Sequence, residues 1–280
     1  MSEDIESHIA AVKAVYRPVI EQAGGRLSGG ERLWAQFEHA VAAFRKHGRP
    51  RVRGVIERVN ELAVARAMLT DATFGSGRIE YEPEIVAGGS LFDFAVAEGA
   101  DRALYVEVKT VEPRTEDSDR NWQKYLQRQK YISPCNQYVV AKECLGATIF
   151  GDSFSARSSF MSYTRETEAK LSGHAAVRPG GRSVLVFCGT GFAWHVDELE
   201  DFADFYGRGR HRIDDPFAAM EQHEMTKDGI ELARTLDGFA ALIRHHDETE
   251  PRKWIYPVRG PSWRQGPGRA DRSPLRKPVR

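Results

Sequence analysis

The chain has 280 residues, 41% of them hydrophobic, with 40 basic and 40 acidic side chains in balance. That is enough apolar material for a sizeable core, and a zero net charge excludes a polycation that coats nucleic acid indiscriminately. Cys135, Cys144 and Cys188 include no Cys-x-x-Cys pair, which argues against a disulfide framework or a structural zinc site. No apolar run reaches the length of a membrane span, and the acidic start MSEDIESHIAA is unlike a signal peptide, so a cytoplasmic protein without membrane association is expected.

Ile5, Ile9, Val12, Tyr16 and Val19 recur at helical spacing and predict a first helix over residues 3–23. Ser28 and Glu31 match an S-x-x-E capping box opening a second helix with Leu33, Phe37, Val41 and Phe44 inward. The basic connector FRKHGRPRVRG follows. Its Arg51 and Arg53, with Arg45, Lys46 and Arg49, would bind phosphate near a helix N-terminus, or else form a solvated linker. A third helix is predicted from about Val55 to Met68.

The texture then changes. RIEYEPEIVA, SLFDFAVA and RALYVEVKT read as three successive strands, and NWQKYLQRQKYI as a helix. Residues 136–180 form an insertion in which SARSSFMSYTRETEAKL reads as helical. RSVLVFCGTG reads as a short buried strand, and Asp197 with Glu200 as a capping box for DELEDFADFYG. DPFAAMEQH reads as a helix and GFAALIRHH as either strand or helix. From Pro251 onward, nine Lys or Arg face one acid, Asp271, leaving 31 basic against 39 acidic residues in the body. This Pro-rich stretch reads as an extended basic tail. Its Trp254, Tyr256 and Trp263 would stack on single-stranded nucleic acid, or else a last strand packs its aromatics and a disordered basic end follows. The organisation is therefore a helical segment over 1–50, a core over 51–250 and a tail over 251–280.

The chemistry gathers in the second and third strands. Glu107 and Lys109 are two apart and so share a strand face. The turn signal EGAD joins the two strands, and a hairpin symmetric about Ala100 pairs residues whose numbers sum to 200, setting Asp93 against Glu107. Opposed carboxylates need a shared proton or a cation. Mg²⁺, with Mn²⁺ as a substitute, takes one or two carboxylates and keeps several waters. Lys109 would then stabilise developing negative charge or orient an attacking water. The competing reading is a solvated ion-pair patch on an exposed strand face. Glu57 and Glu61 share one face of the third helix, and Glu61 is the candidate to reach the ion. Gln127 and Tyr131, with Gln123 and Lys130 nearby, are candidates to contact a phosphate backbone.

This pattern resembles the PD-(D/E)XK superfamily of restriction-endonuclease-like nucleases. The family signature is an acid on the second strand, Glu-x-Lys on the third and a helical Glu ahead, matched by Asp93, Glu107, Lys109 and Glu61. Phe92 stands where the family often carries Pro. The resemblance implies an α/β restriction-endonuclease-like core (helix, three antiparallel strands, helix, strand) with N-terminal helices and C-terminal additions. It implies a Mg²⁺-dependent nuclease, most readily acting on DNA, with the metal held by Asp93, Glu107, Glu61 and the Val108 carbonyl. Gln127-x-x-x-Tyr131 resembles a motif of the branch that includes bacterial recombination exonucleases. The alternatives are an inactive nucleic-acid-binding or assembly module of the same fold and a nuclease acting on RNA. A homodimer is considered as an assembly. A second Glu-x-Lys, Glu168-Ala169-Lys170, falls in a predicted helix and is given no role.

Overall fold

The pattern of strands buried on both faces dictates a layered α/β arrangement. The computed structural model has this arrangement, and it describes residues 2–70, 77–86, 89–90, 92–97, 103–111, 156–174, 181–190, 196–208, 232–244 and 252–257. Helix α1 (Ser2–Ala23) leads through strand β1 (Leu27–Ser28) into α2 (Gly30–His47) and α3 (Val52–Thr70). Strands β2 (Ile79–Tyr81), β3 (Glu84–Val86), β4 (Gly89–Ser90), β5 (Phe94–Ala97) and β6 (Ala103–Thr110) follow. Then come α4 (Ala156–His174), β7 (Arg182–Thr190), α5 (Val196–Arg208), β8 (Gly238–Arg244) and β9 (Arg252–Pro257).

Among the described residues, seven strands form one mixed sheet in the order β1-β2-β5-β6-β7-β8-β9, while β3 and β4 pair separately. The pairs β2–β5, β5–β6 and β8–β9 are antiparallel, and β1–β2, β6–β7 and β7–β8 are parallel. The hairpin register is the predicted one, running from Ala97↔Ala103 to Phe94↔Val106. GFAALIRHH resolves as strand β8, and the first six residues of the basic tail stretch after Pro251 are strand β9 of the sheet.

Alternation along the strands sorts the two largest hydrophobic clusters of the described residues onto opposite faces of the sheet. Leu104 and Val106 of β6, Val184, Val186 and Cys188 of β7, and Ala240 and Leu242 of β8 pack under α1, α2 and α3. Leu185, Phe187, Phe239 and Ala241 face the other way, against Phe160 of α4 and Leu199, Phe202 and Tyr206 of α5. The four inward residues expected of α2 are buried, whereas the buried stripe of α1 ends on Ile20 rather than Val19. Helix α3, sandwiched between helices and sheet, buries residues around most of its circumference, so its period is weak.

Three expectations are corrected. Ser28 does not cap α2: it lies in β1, paired with Glu80, and the helix starts after Gly29 without a side-chain cap. Gly29 has φ +81°, and a Cβ there would meet the Tyr81 carbonyl oxygen at 3.1 Å, so the turn needs glycine. RIEYEPEIVA is not one strand. Glu82 turns left-handed at φ 46° and Pro83 cannot donate to a ladder, so the chain leaves the sheet after Tyr81 into β3. SLFDFAVA is likewise interrupted, and Asp93 sits in the bend just before β5.

Candidate active site

The cavity lies at the carboxyl end of β6, the usual place for a ligand in an open α/β sheet. It has a volume of about 310 Å³ and is lined by Arg53, Glu57 and Glu61 of α3, Asp93, Glu107 to Thr110 of β6, and Tyr163 and Lys170 of α4. Each element supplies these groups by its own periodicity. Arg53, Glu57 and Glu61 are four apart on one helix stripe, Glu107 and Lys109 share a strand face, and Tyr163 and Lys170 are two turns apart on α4.

The rotation of α4 is set by a buried anchor on its far side. Glu168 accepts hydrogen bonds from the Tyr206 hydroxyl at 2.5 Å and from the backbone N–H groups of Ala233 at 2.9 Å and Thr235 at 3.2 Å. Tyr206 in turn accepts from the Leu236 N–H at 2.8 Å. With Glu168 held there, Tyr163, Glu166 and Lys170 turn toward β6.

Asp93 is fixed by the Val108 N–H, which donates to its Oδ2 at 2.6 Å. Burial, then the neighbouring Glu107 and Glu61 charges, push this carboxyl up to about 8, while the Val108 bond and Lys109 pull the other way. Glu107 is 3% exposed. Its Oε1 meets two ammonium groups, Lys170 at 2.5 Å and Lys109 at 3.0 Å, while its buried Oε2 has no hydrogen-bond partner among the described residues. Lys109 also reaches Glu166 at 2.8 Å and lies 5.4 Å from the centre of the Tyr163 ring. Burial works to deprotonate Lys109, but Glu107 and Glu166 outweigh it and hold its pKa above that of an ordinary lysine. These carboxylates favour its ammonium form.

Glu61 reaches the cavity but is already engaged. Arg58 donates to both of its oxygens, at 2.9 and 2.7 Å, and the Tyr81 hydroxyl lies 2.9 Å from Oε2. Burial raises the Glu61 pKa, opposed by Arg58 and Tyr81. Burial, then Glu61, raises the Tyr81 phenol, so it remains a donor whose proton serves Glu61 or Gln36 Oε1 at 2.7 Å. Glu57 pairs with Arg53 at 2.9 Å, and Arg53 also donates to the Tyr163 hydroxyl at 3.3 Å.

Asp93, Glu107, Val108, Lys109, Glu61 and Arg53 thus share one cavity. Arg51 is exposed, ahead of α3 and outside the cavity lining. Gln127, Lys130 and Tyr131 lie outside the described residues. Glu168-Ala169-Lys170 lies in a helix, as expected, but its charged residues have contacts of their own: Lys170 meets Glu107, and Glu168 anchors its helix. The one signal for these residues in the sequence is the spacing Tyr163, Glu166, Lys170, which marks a helix face without saying what it packs on.

Among the described residues no three His, Cys, Asp or Glu side chains form a ready-made metal cage. The donor set fits a hard divalent ion that takes two carboxylates and keeps water, because Glu107 Oε2 is buried without a partner among the described residues and the half-buried Asp93 lines the same cavity. No described helix is long and apolar enough to cross a membrane. No protein-family model matches this chain, and no significant match to a curated protein or to a solved structure was found.

Proposed function

We infer that this chain is a Mg²⁺- or Mn²⁺-dependent nuclease that hydrolyses phosphodiester bonds in DNA, on a restriction-endonuclease-like core running from α3 to β7. The observation that carries the reading is the hydrogen bond from Val108 to Asp93, which sets an acid from the bend before β5 beside the Glu-x-Lys of β6 in one cavity. The order of helix α3, antiparallel β2, β5 and β6, then a strand parallel to β6 supports it.

Asp93, Glu107 and the Val108 carbonyl would hold the ion. When bound, the metal supplies Lewis-acid charge to the phosphoryl oxygens and acidifies a water. Glu61 organises the wall through Arg58 and Tyr81 and is placed for a metal-bound or neighbouring water. Lys109, kept protonated, donates to a phosphate oxygen or holds the attacking water in line. Arg53, at the cavity rim beside Tyr163, offers a guanidinium to the phosphate backbone.

The test is cleavage of plasmid DNA with Mg²⁺. Lys109→Ala should fold normally and cut at least about a hundredfold more slowly, the loss typical of removing one preorganised donor. Wild-type cutting rates in Lys109→Ala would reject its role. A second reading, a binding module without cleavage, draws on the two ammonium groups already meeting Glu107. In that case wild type retains labelled DNA or RNA but cuts neither, and Mn²⁺ leaves its melting temperature unchanged.

A further inference from the structure

Glu107 is compensated lopsidedly. Two ammonium groups crowd Oε1, while the buried Oε2 has no partner among the described residues. Two like charges on one oxygen repel each other, and the second carboxylate that balances them, Glu166, lies on the exposed side. The crowding at Glu107 is relieved if one ammonium group moves to Glu166.

The surroundings say which one. Lys109 rises from the sheet, is 16% exposed, and is held from three sides by Glu107, Glu166 and the Tyr163 ring. Lys170 comes from α4, is 27% exposed, and has a second carboxylate within reach: Glu166, one helical turn away, lies 3.8 Å from its Nζ and is itself 49% exposed. A lysine stem has enough rotatable bonds to shift its ammonium from Glu107 to Glu166 without leaving a carboxylate behind unpaired. The sheet lysine already holds Glu166 at 2.8 Å and is the less exposed of the two, so among the described residues it has no further paired carboxylate to move to.

We propose that Lys170 is a resident counter-cation of Glu107 that a divalent ion displaces, so that Lys170 sets the metal affinity of the site. Lys170 is a positioning residue in this account: in the metal-free protein it neutralises the buried Glu107, and on metal binding it moves outward to Glu166. The inference rests on the metal site of the nuclease reading and adds to it a competitor built into the chain.

The experiment measures Mn²⁺ binding to EDTA-stripped protein by calorimetry, with melting temperature as a second readout. Wild type is compared with Lys170→Ala, Lys170→Arg and Asp93→Asn. Ala is the best helix former, so Lys170→Ala should preserve α4. Lys170→Ala should bind Mn²⁺ at least tenfold more tightly than wild type. Lys170→Arg, which keeps the charge, should bind no more tightly than wild type, and should do so even if the Ala variant fails to fold. If wild type binds, Asp93→Asn does not, and Lys170→Ala is no tighter, the competitor role is overturned while the nuclease site stands. Tighter binding by Lys170→Arg overturns it in the same way. Absence of Mn²⁺ binding in wild type and Lys170→Ala alike removes both.

Discussion

The backbone N–H of Val108 donates to Asp93 Oδ2 across 2.6 Å, and this one bond pins an acidic side chain from the approach to β5 onto the strand that carries Glu107 and Lys109. The bond does not relieve the environment: burial and Glu107 still lift Asp93 to about 8.

Stability of the metal-free protein should therefore fall with pH. An unfolded Asp loses its proton near about pH 4, whereas folded Asp93 keeps it until about 8. Between those limits the folded state binds one more proton, so stability declines as pH rises and levels off above the folded value. Asp93→Asn can still accept from Val108 and removes this slope. Its urea midpoint should exceed that of wild type by an increasing margin up to about pH 9, worth at least about 1.4 kcal/mol there. Parallel curves for the two proteins would refute the assignment.

Arg58 and Glu61 test whether the helix acid is held by its neighbours. Removing Arg58 strands a buried carboxylate, so Arg58→Ala should destabilise by about 2–4 kcal/mol. Glu61→Gln keeps an acceptor for Tyr81 and removes the buried charge, and should cost about 1 kcal/mol. Chemical denaturation of both variants checks the order, which reverses if Arg58 is merely a solvated side chain.

Tyr206→Phe removes a donor to Glu168 and the acceptor of the Leu236 N–H in one step. A loss of about 2–3 kcal/mol is expected, because a hydrogen bond to a charged group goes and a buried amide is left unpaired. Since Glu168 sets the rotation of α4, cleavage should weaken as well, although Tyr206 is outside the cavity lining. Retention of full activity and stability would break the link between this anchor and the site.

Gly29→Ala should destabilise by about 1–2 kcal/mol. Its φ of +81° disfavours any Cβ, and the added methyl would press on the Tyr81 carbonyl at 3.1 Å. Thermal melting measures this directly, and an unchanged melting temperature would show that the turn relaxes.

Local periodicity was legible wherever one face of an element is buried. The stripe of Leu33, Phe37, Val41 and Phe44 located α2, and the even run of apolar residues in RSVLVFCGTG located a strand covered on both sides. Elements without a one-sided pattern were harder. β1 is two residues long, and its single buried side chain, Leu27, has no period to detect. Ser28 followed by Glu31 has the letters of a cap, yet Ser28 satisfies its backbone against β2 instead. Glu168 and Lys170 were passed over because a helix sequence does not state which face meets the sheet.

What the chain's own order of residues determined is the shared face of Glu107 and Lys109 and the hairpin alignment that ends with Phe94 against Val106. Both follow from the two-residue period of a strand and a short turn, which are local. The tertiary structure alone decided that Lys170 meets Glu107 while Glu166 and Tyr163 meet Lys109, and that Tyr81 reaches Glu61. Those contacts join residues far apart in the chain, and they depend on how whole helices are rotated by distant anchors such as Glu168, which no nearby run of residues encodes.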